Sequence, residues 1–189
     1  MGSSIERIEI VDTNVPITAG KRVADIPEEL LVCVRECNRY IYNLIKSESG
    51  VRVVLDANKL ILNEYRKIKS VTDGDSIAVQ FLKWIYQYLL RILPDDLVFL
   101  NILSENEYAE YPDDIEGLES FDPADKKFIA LAFAHKESPV IIEATDSMWW
   151  GIKDVLEANG VKVCFLCTEY VKGKFEQKQG FRKKNATSP

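Results

Sequence analysis

Short β-branched runs return along this chain, and long stretches with helical periodicity lie between them. Ile5–Val11, Val51–Leu55, Val140–Glu143 and Val161–Cys167 read as strands, with Leu97–Leu100 as a shorter one. After Pro27-Glu28-Glu29, an acidic first turn with proline, Leu30, Leu31, Val34, Cys37, Tyr40, Ile41 and Leu44 recur at helical spacing to about Lys46. Residues 60–68 read as a short helix and Ser76–Leu93 as a long, mostly apolar one. Asp122–His135 and Met148–Asn159 read as two more helices, the second closed by Gly160. Residues 13–26 are expected as a loop, Asp73-Gly74-Asp75 as a turn and 104–121 as an acidic loop. Strands that alternate with helices must cross over and pair in parallel. The expectation is therefore α/β, with a doubly wound, mostly parallel sheet and helices on both faces.

At 189 residues the chain fits one domain. Residues 1–170 are expected to form it, with 171–189 as a basic C-terminal tail. With 47% hydrophobic and 29% charged residues it has the balance of a globular domain with a full core. No apolar run approaches the ~20 residues of a membrane span, and the first residues lack a signal-peptide core. The expected setting is cytoplasmic, with no membrane partner. Net charge is −6 and unevenly spread. Residues 172–184 carry +5, which leaves −11 for the rest, and residues 105–122 hold eight acids and no Lys or Arg. An acidic body is a poor non-specific binder of nucleic acid. Cys33 and Cys37 fall on one helix face, while Cys164 and Cys167 lie on a predicted strand with odd spacing. Zinc sites present their Cys pairs on turns, so buried free thiols in a reducing compartment are the expected state.

Asp12, Glu64, Asp125 and Asp146 fall where elements begin or end. In an open α/β sheet, ligands bind outside the carboxyl ends of the strands. Converging carboxylates repel each other unless a cation lies between them, and oxygen-only ligands select hard ions such as Mg²⁺ or Mn²⁺. Each acid also has a plainer explanation. Asp122 and Asp125 are spaced as an N-cap and its N3 acid. Asp146 can cap the helix that follows it. Glu64 can be a solvated helix residue beside Arg66 and Lys67, and Asp12 can bond the amides of the next loop.

Taken together, these pieces resemble the PIN-domain family of metal-dependent ribonucleases. They are Ile10-Val11-Asp12-Thr13-Asn14, Asn63-Glu64-Tyr65, the helix opening Asp125-Lys-Lys-Phe-Ile-Ala-Leu-Ala132, and Ala144-Thr145-Asp146-Ser147. The resemblance spans residues 5–167. It implies the doubly wound fold, with one or two Mg²⁺ or Mn²⁺ ions on Asp12, Glu64, Asp125 and Asp146, and cleavage of single-stranded RNA by metal-activated water. It implies supporting roles for Asn14, Thr145 and Ser147, and an outer contact from Asp122. The chain departs from the pattern at Met148, where many relatives carry another acid, and in the expanded segment 70–121. That length sets it apart from the small toxin members.

A second reading is a catalytically weak or inactive PIN-like module that binds RNA or protein through the same surface. A regulatory protein partner and a homodimer are both compatible with the chain. A third reading is a phospho-receiver domain, on the strand-end acids Asp12 and Asp56, but the paired acids and late Lys of that family are not evident. His135 lies at a helix end where its positive form suits the dipole. Trp149 and Trp150 suit either the core or base stacking.

Overall fold

The computed structural model describes residues 7–46, 50–68 and 76–186. Strand β1 (Arg7–Val11) runs from an exposed Arg7 to a fully buried Val11 and leads into helix α1 (Asn14–Ala19). A 3-10 turn at Glu28–Leu30 opens α2 (Leu31–Lys46), whose Cys33, Cys37, Ile41 and Leu44 form its buried stripe. Strands β2 (Val51–Val53) and β3 (Leu55–Asp56) follow, then α3 (Leu60–Lys67) and α4 (Ile77–Tyr88). Next come β4 (Leu97–Val98), β5 (Ile102–Ser104), β6 (Glu107–Tyr108) and α5 (Lys126–Ala134). The chain closes with β7 (Val140–Glu143), α6 (Ser147–Ala158), β8 (Val163–Phe165) and α7 (Thr168–Ala186). No described helix is long and apolar enough to cross a membrane.

The fold is α/β around a four-stranded parallel sheet in the order β2-β1-β7-β8. Ile8 pairs with Arg52, Ile10 with Ile141, and Ile142 with Cys164. From β1 the chain passes to β2 on one side, and later to β7 on the other. The carboxyl ends of β1 and β7 therefore flank the point where strand order reverses, which is where an open parallel sheet has a crevice. Ile10 and Val11 are fully buried, as are Ile141 and nearly all of Ile142, in keeping with a parallel sheet covered by other elements.

Several expectations are corrected. The expected loop 13–26 contains α1 and a 3-10 turn at Val23–Asp25. Pro16 falls in the first turn of α1, where its missing N–H costs nothing, and six residues are too few to display a helical period. The helix expected to Leu93 ends at Tyr88. Pro94 forces Leu93 into an extended conformation (φ −68°, ψ 145°), so the chain unwinds through turns before it. Leu97–Leu100 forms a strand only at Leu97 and Val98, paired with β3. The acidic segment holds the β5–β6 hairpin, which turns through Asn106 at φ 60°. Residues 171–186, expected as a tail, continue α7 without a break from Thr168. Val171 is fully buried, and Phe175 lies so close to Gly151 of α6 that a Cβ there would stand 2.8 Å from the ring. Cys33, Cys37 and Cys167 are buried free thiols, whereas Cys164 is exposed. The turn expected at 73–75 lies outside the described residues.

Candidate carboxylate site at the sheet switch point

Asp12 leaves the end of β1 and is 3% exposed. Its Oδ1 accepts the Asn14 amide at 2.8 Å, the turn that starts α1. Its Oδ2 is buried and has no hydrogen-bond partner. Turn formation thus accounts for one oxygen of Asp12 and leaves the other without a donor.

Asp146 is the N-cap of α6 and accepts the Met148 amide on Oδ1 at 2.8 Å, so its capping role is real. Asp125 stands at the N-cap position of α5 but makes no capping hydrogen bond. Asp122 holds the turn instead, accepting the Ala124 amide at 2.9 Å. The helix-start explanation therefore applies to Asp122 and not to Asp125. Glu64, on α3, turns toward β1: Thr13 Oγ1 donates to its Oε2 at 2.9 Å and Lys127 Nζ lies 2.8 Å from its Oε1.

The electrostatics tie these groups into one neighbourhood. Burial is the main force that raises the Asp12 carboxyl well above its ordinary range, with further pushes from Glu143 and Asp125. Asp125 is pushed up to about 6, first by burial, with Lys127 opposing and Asp146, Asp122 and Glu64 adding to the rise. Glu143 is pushed up to about 8, again first by burial, while its hydrogen bonds oppose the shift. Clustered acids with raised pKa values are the signature of carboxylates that share a site.

Two members of this cluster are not among the residues that the sequence singles out. Glu143 ends β7 as Asp12 ends β1, and it is fully buried. Asn14 Nδ2 donates to both Glu143 oxygens at 2.7 Å, and the Asp146 amide donates to Oε1 at 2.8 Å. Asn14 Oδ1 accepts the amides of Ala144 and Thr145 at 3.1 and 3.3 Å. Asn14 thereby rivets the end of β1 to the end of β7. An acid closing the buried run Val140-Ile141-Ile142 was the available signal. The second is Lys127, 3% exposed, two residues after Asp125. A lysine in the first turn of an apolar helix reads as solvated, and nothing local foretells its burial.

The supporting residues divide. Thr145 Oγ1 lies 3.4 Å from Thr18 Oγ1, and Ser147 is buried in the first turn of α6. Asp56 caps α3 by accepting the amides of Leu60 and Ile61 at 2.6 and 2.9 Å. That is a structural role for the acid behind the phospho-receiver reading. His135 lies at the other end of α5 from Asp125; its Nδ1 accepts the Glu137 amide and Nε2 faces Asp96 at 3.3 Å. Trp149 is fully buried, edge-on to Phe121 with centroids 4.9 Å apart, and belongs to the core. Trp150 packs on Phe165 at 5.3 Å.

Among the described residues, no group of three or more His, Cys, Asp or Glu side chains is set to hold a metal ion as it stands. The donor chemistry nevertheless fits one. Asp12 Oδ2 lacks a partner, Asp125 makes no cap bond, and Asp146 spends only Oδ1 on its cap. These are oxygen donors, which suit a hard divalent ion. Comparison of the chain with protein-family models, with curated proteins and with solved structures finds no match in any of the three.

Proposed function

We propose that this protein is a divalent-metal-dependent endoribonuclease acting on single-stranded RNA, with a doubly wound, PIN-like arrangement of its sheet and helices. The reading rests on the residues by which the chain resembles the PIN-domain family and on their geometry. The observation that carries it is Asp12 Oδ2, buried without a donor, on a carboxyl whose pKa is raised first by burial and then by Glu143 and Asp125. Leaving such an oxygen unpartnered costs stability, and a cation between carboxylates would remove that cost. Asp12, Asp125 and Asp146 would hold Mg²⁺ or Mn²⁺, with Glu64 joining from α3. When bound, the ion would supply a water of lowered pKa and neutralise charge on the attacked phosphate.

The chain's own residues prepare the rest. Asn14 fixes Glu143 and the Ala144–Thr145 turn, and so sets the distance between the two strand ends. The α6 N-cap holds the Asp146 carboxylate at a helix N-terminus, where negative charge is favoured. Free thiols fit a reducing, cytoplasmic setting.

The test is cleavage of single-stranded RNA by purified protein with Mn²⁺ or Mg²⁺. The parent should cut and EDTA should stop it. Asp12→Asn should remove the activity while circular dichroism stays unchanged, and equal cleavage by Asp12→Asn would overturn the proposal. One observation favours the alternative of a non-catalytic binding module. Glu64 already has Lys127 and Thr13 on its two oxygens. That module would bind RNA, fail to cut it, and bind it equally well in EDTA.

A further inference from the structure

The carboxylate cluster contains a cation of its own. Lys127 Nζ lies 2.8 Å from Glu64 Oε1, donates to the Ala124 carbonyl and stands 4.7 Å from the centroid of the Phe128 ring. The side chain is 4% exposed. Burying an ammonium group calls for a close partner, and Glu64 is that partner. Its charge reaches further, opposing the rise of the carboxyl pKa at Asp12, Asp125 and Asp56.

The acids therefore fall into two groups by what their oxygens already do. Both oxygens of Glu64 are engaged, one by Lys127 and one by Thr13. Both oxygens of Glu143 are engaged by Asn14, and one also by the Asp146 amide. Asp12 keeps a buried oxygen without a partner, and Asp125 makes no helix-cap bond. Asp146 commits only Oδ1 to its cap. Two-metal phosphodiesterase sites hold their ions roughly 3.5–4 Å apart. A second ion on the Glu64 side would have to displace both Thr13 and an ammonium at ion-pair distance.

We infer that Lys127 is a resident counter-cation that fills the Glu64 side of the crevice, so that the site takes one divalent ion, on Asp12, Asp125 and Asp146, and not two. Glu64 is then a positioning residue. It holds Lys127, and Lys127 supplies a fixed positive charge where a two-metal enzyme would carry its second ion. The inference rests on the metal-dependent reading above, and it goes beyond it by removing Glu64 from the ligand set.

Mn²⁺ titration of the full chain, read by calorimetry and by the loss of the free-ion electron paramagnetic resonance signal, tests it. The parent should bind one Mn²⁺ per chain. Asp12→Asn should weaken binding by more than about a hundredfold, whereas Glu64→Gln should cost about tenfold at most, the effect of an outer partner. Lys127→Met should either take up a second Mn²⁺ or bind the first at least about tenfold more tightly, as expected when a like charge next to the ion is removed. Two ions in the parent would overturn the inference and leave the metal reading standing. So would a Glu64→Gln loss equal to that of Asp12→Asn, or a folded Lys127→Met variant that behaves as the parent does. If Lys127→Met does not fold, the Glu64→Gln and Asp12→Asn pair decides by itself. Absence of Mn²⁺ binding in every variant would overturn the metal reading, and the inference with it.

Discussion

A buried acceptor without a donor costs a folded chain about 1–3 kcal/mol, and more when it is charged. Asp12 Oδ2 bears that cost in the protein alone, so neutralising Asp12 removes repulsion. Asn14 shows the opposite economy, because every polar atom of its side chain has a partner across the β1–β7 crevice. Asn14→Ala is expected to lower stability by about 1–3 kcal/mol, since it leaves the buried Glu143 carboxylate and two backbone amides short of partners. Urea denaturation of the two proteins measures it, and an unchanged midpoint would show that Asn14 is not the rivet. Asp12, Asp125 and Asp146 were legible in the sequence because they sit at element ends. Glu143 obeys the same rule, but as the last residue of an apolar run it reads as part of its strand. Lys127 was not legible, because its burial depends on Glu64, which lies 63 positions earlier and meets it only in the folded chain.

Elements long enough to show a period were readable, and elements made by tertiary contact were not. Helix α2 carries its apolar stripe through four turns, and the buried runs of β1 and β7 are β-branched. Helix α1 is six residues long and packs on α2 and α4, so its cause lies outside its own sequence. The concentrated positive charge of the C-terminal segment reads as a tail, yet α7 lies against α6 through Phe175 and Gly151. Lys174 Nζ also meets Glu29 Oε1 at 2.7 Å. Two truncations separate structure from charge here. Removing residues 172–189 takes away Phe175 and should cost about 1–3 kcal/mol in thermal melts, as loss of packing does. Removing residues 182–189 should change stability by less than about 0.5 kcal/mol. It should nevertheless lower the salt slope of RNA binding by about two, since each of Arg182, Lys183 and Lys184 would contribute about 0.7 on a single strand. An unchanged slope would show that this end of α7 does not touch RNA.

On the scale of the whole molecule, strand order gathers the acids. The order β2-β1-β7-β8 puts the reversal between β1 and β7, and Asp12, Glu143 and Asp146 follow from it. The alternation of strands and helices announced a parallel sheet; the order of its strands depends on pairings between residues more than a hundred positions apart. Their shared cost has a pH signature. Asp125 is raised from 3.8 to about 6 and Glu143 from 4.5 to about 8, so the native state holds protons that the unfolded chain releases. Stability without metal should therefore fall as pH rises from about 4 toward 8, because there the folded state binds more protons than the unfolded one. Melting temperatures in EDTA across that range check it, and a flat or rising profile would contradict the raised Asp125 and Glu143 carboxyls.

The same cost makes metal-linked stability the most direct test of the central claim, that the switch-point acids form a divalent-ion site organised on Asp12. Thermal melts of the parent and of Asp12→Asn are compared in EDTA and in excess Mn²⁺. The parent should gain about 2.7 kcal/mol at a hundredfold excess of ion over Kd. Asp12→Asn should melt at the parent's temperature or above it in EDTA and gain nothing from Mn²⁺. An equal Mn²⁺ shift in both proteins, or no shift in the parent, would contradict the claim.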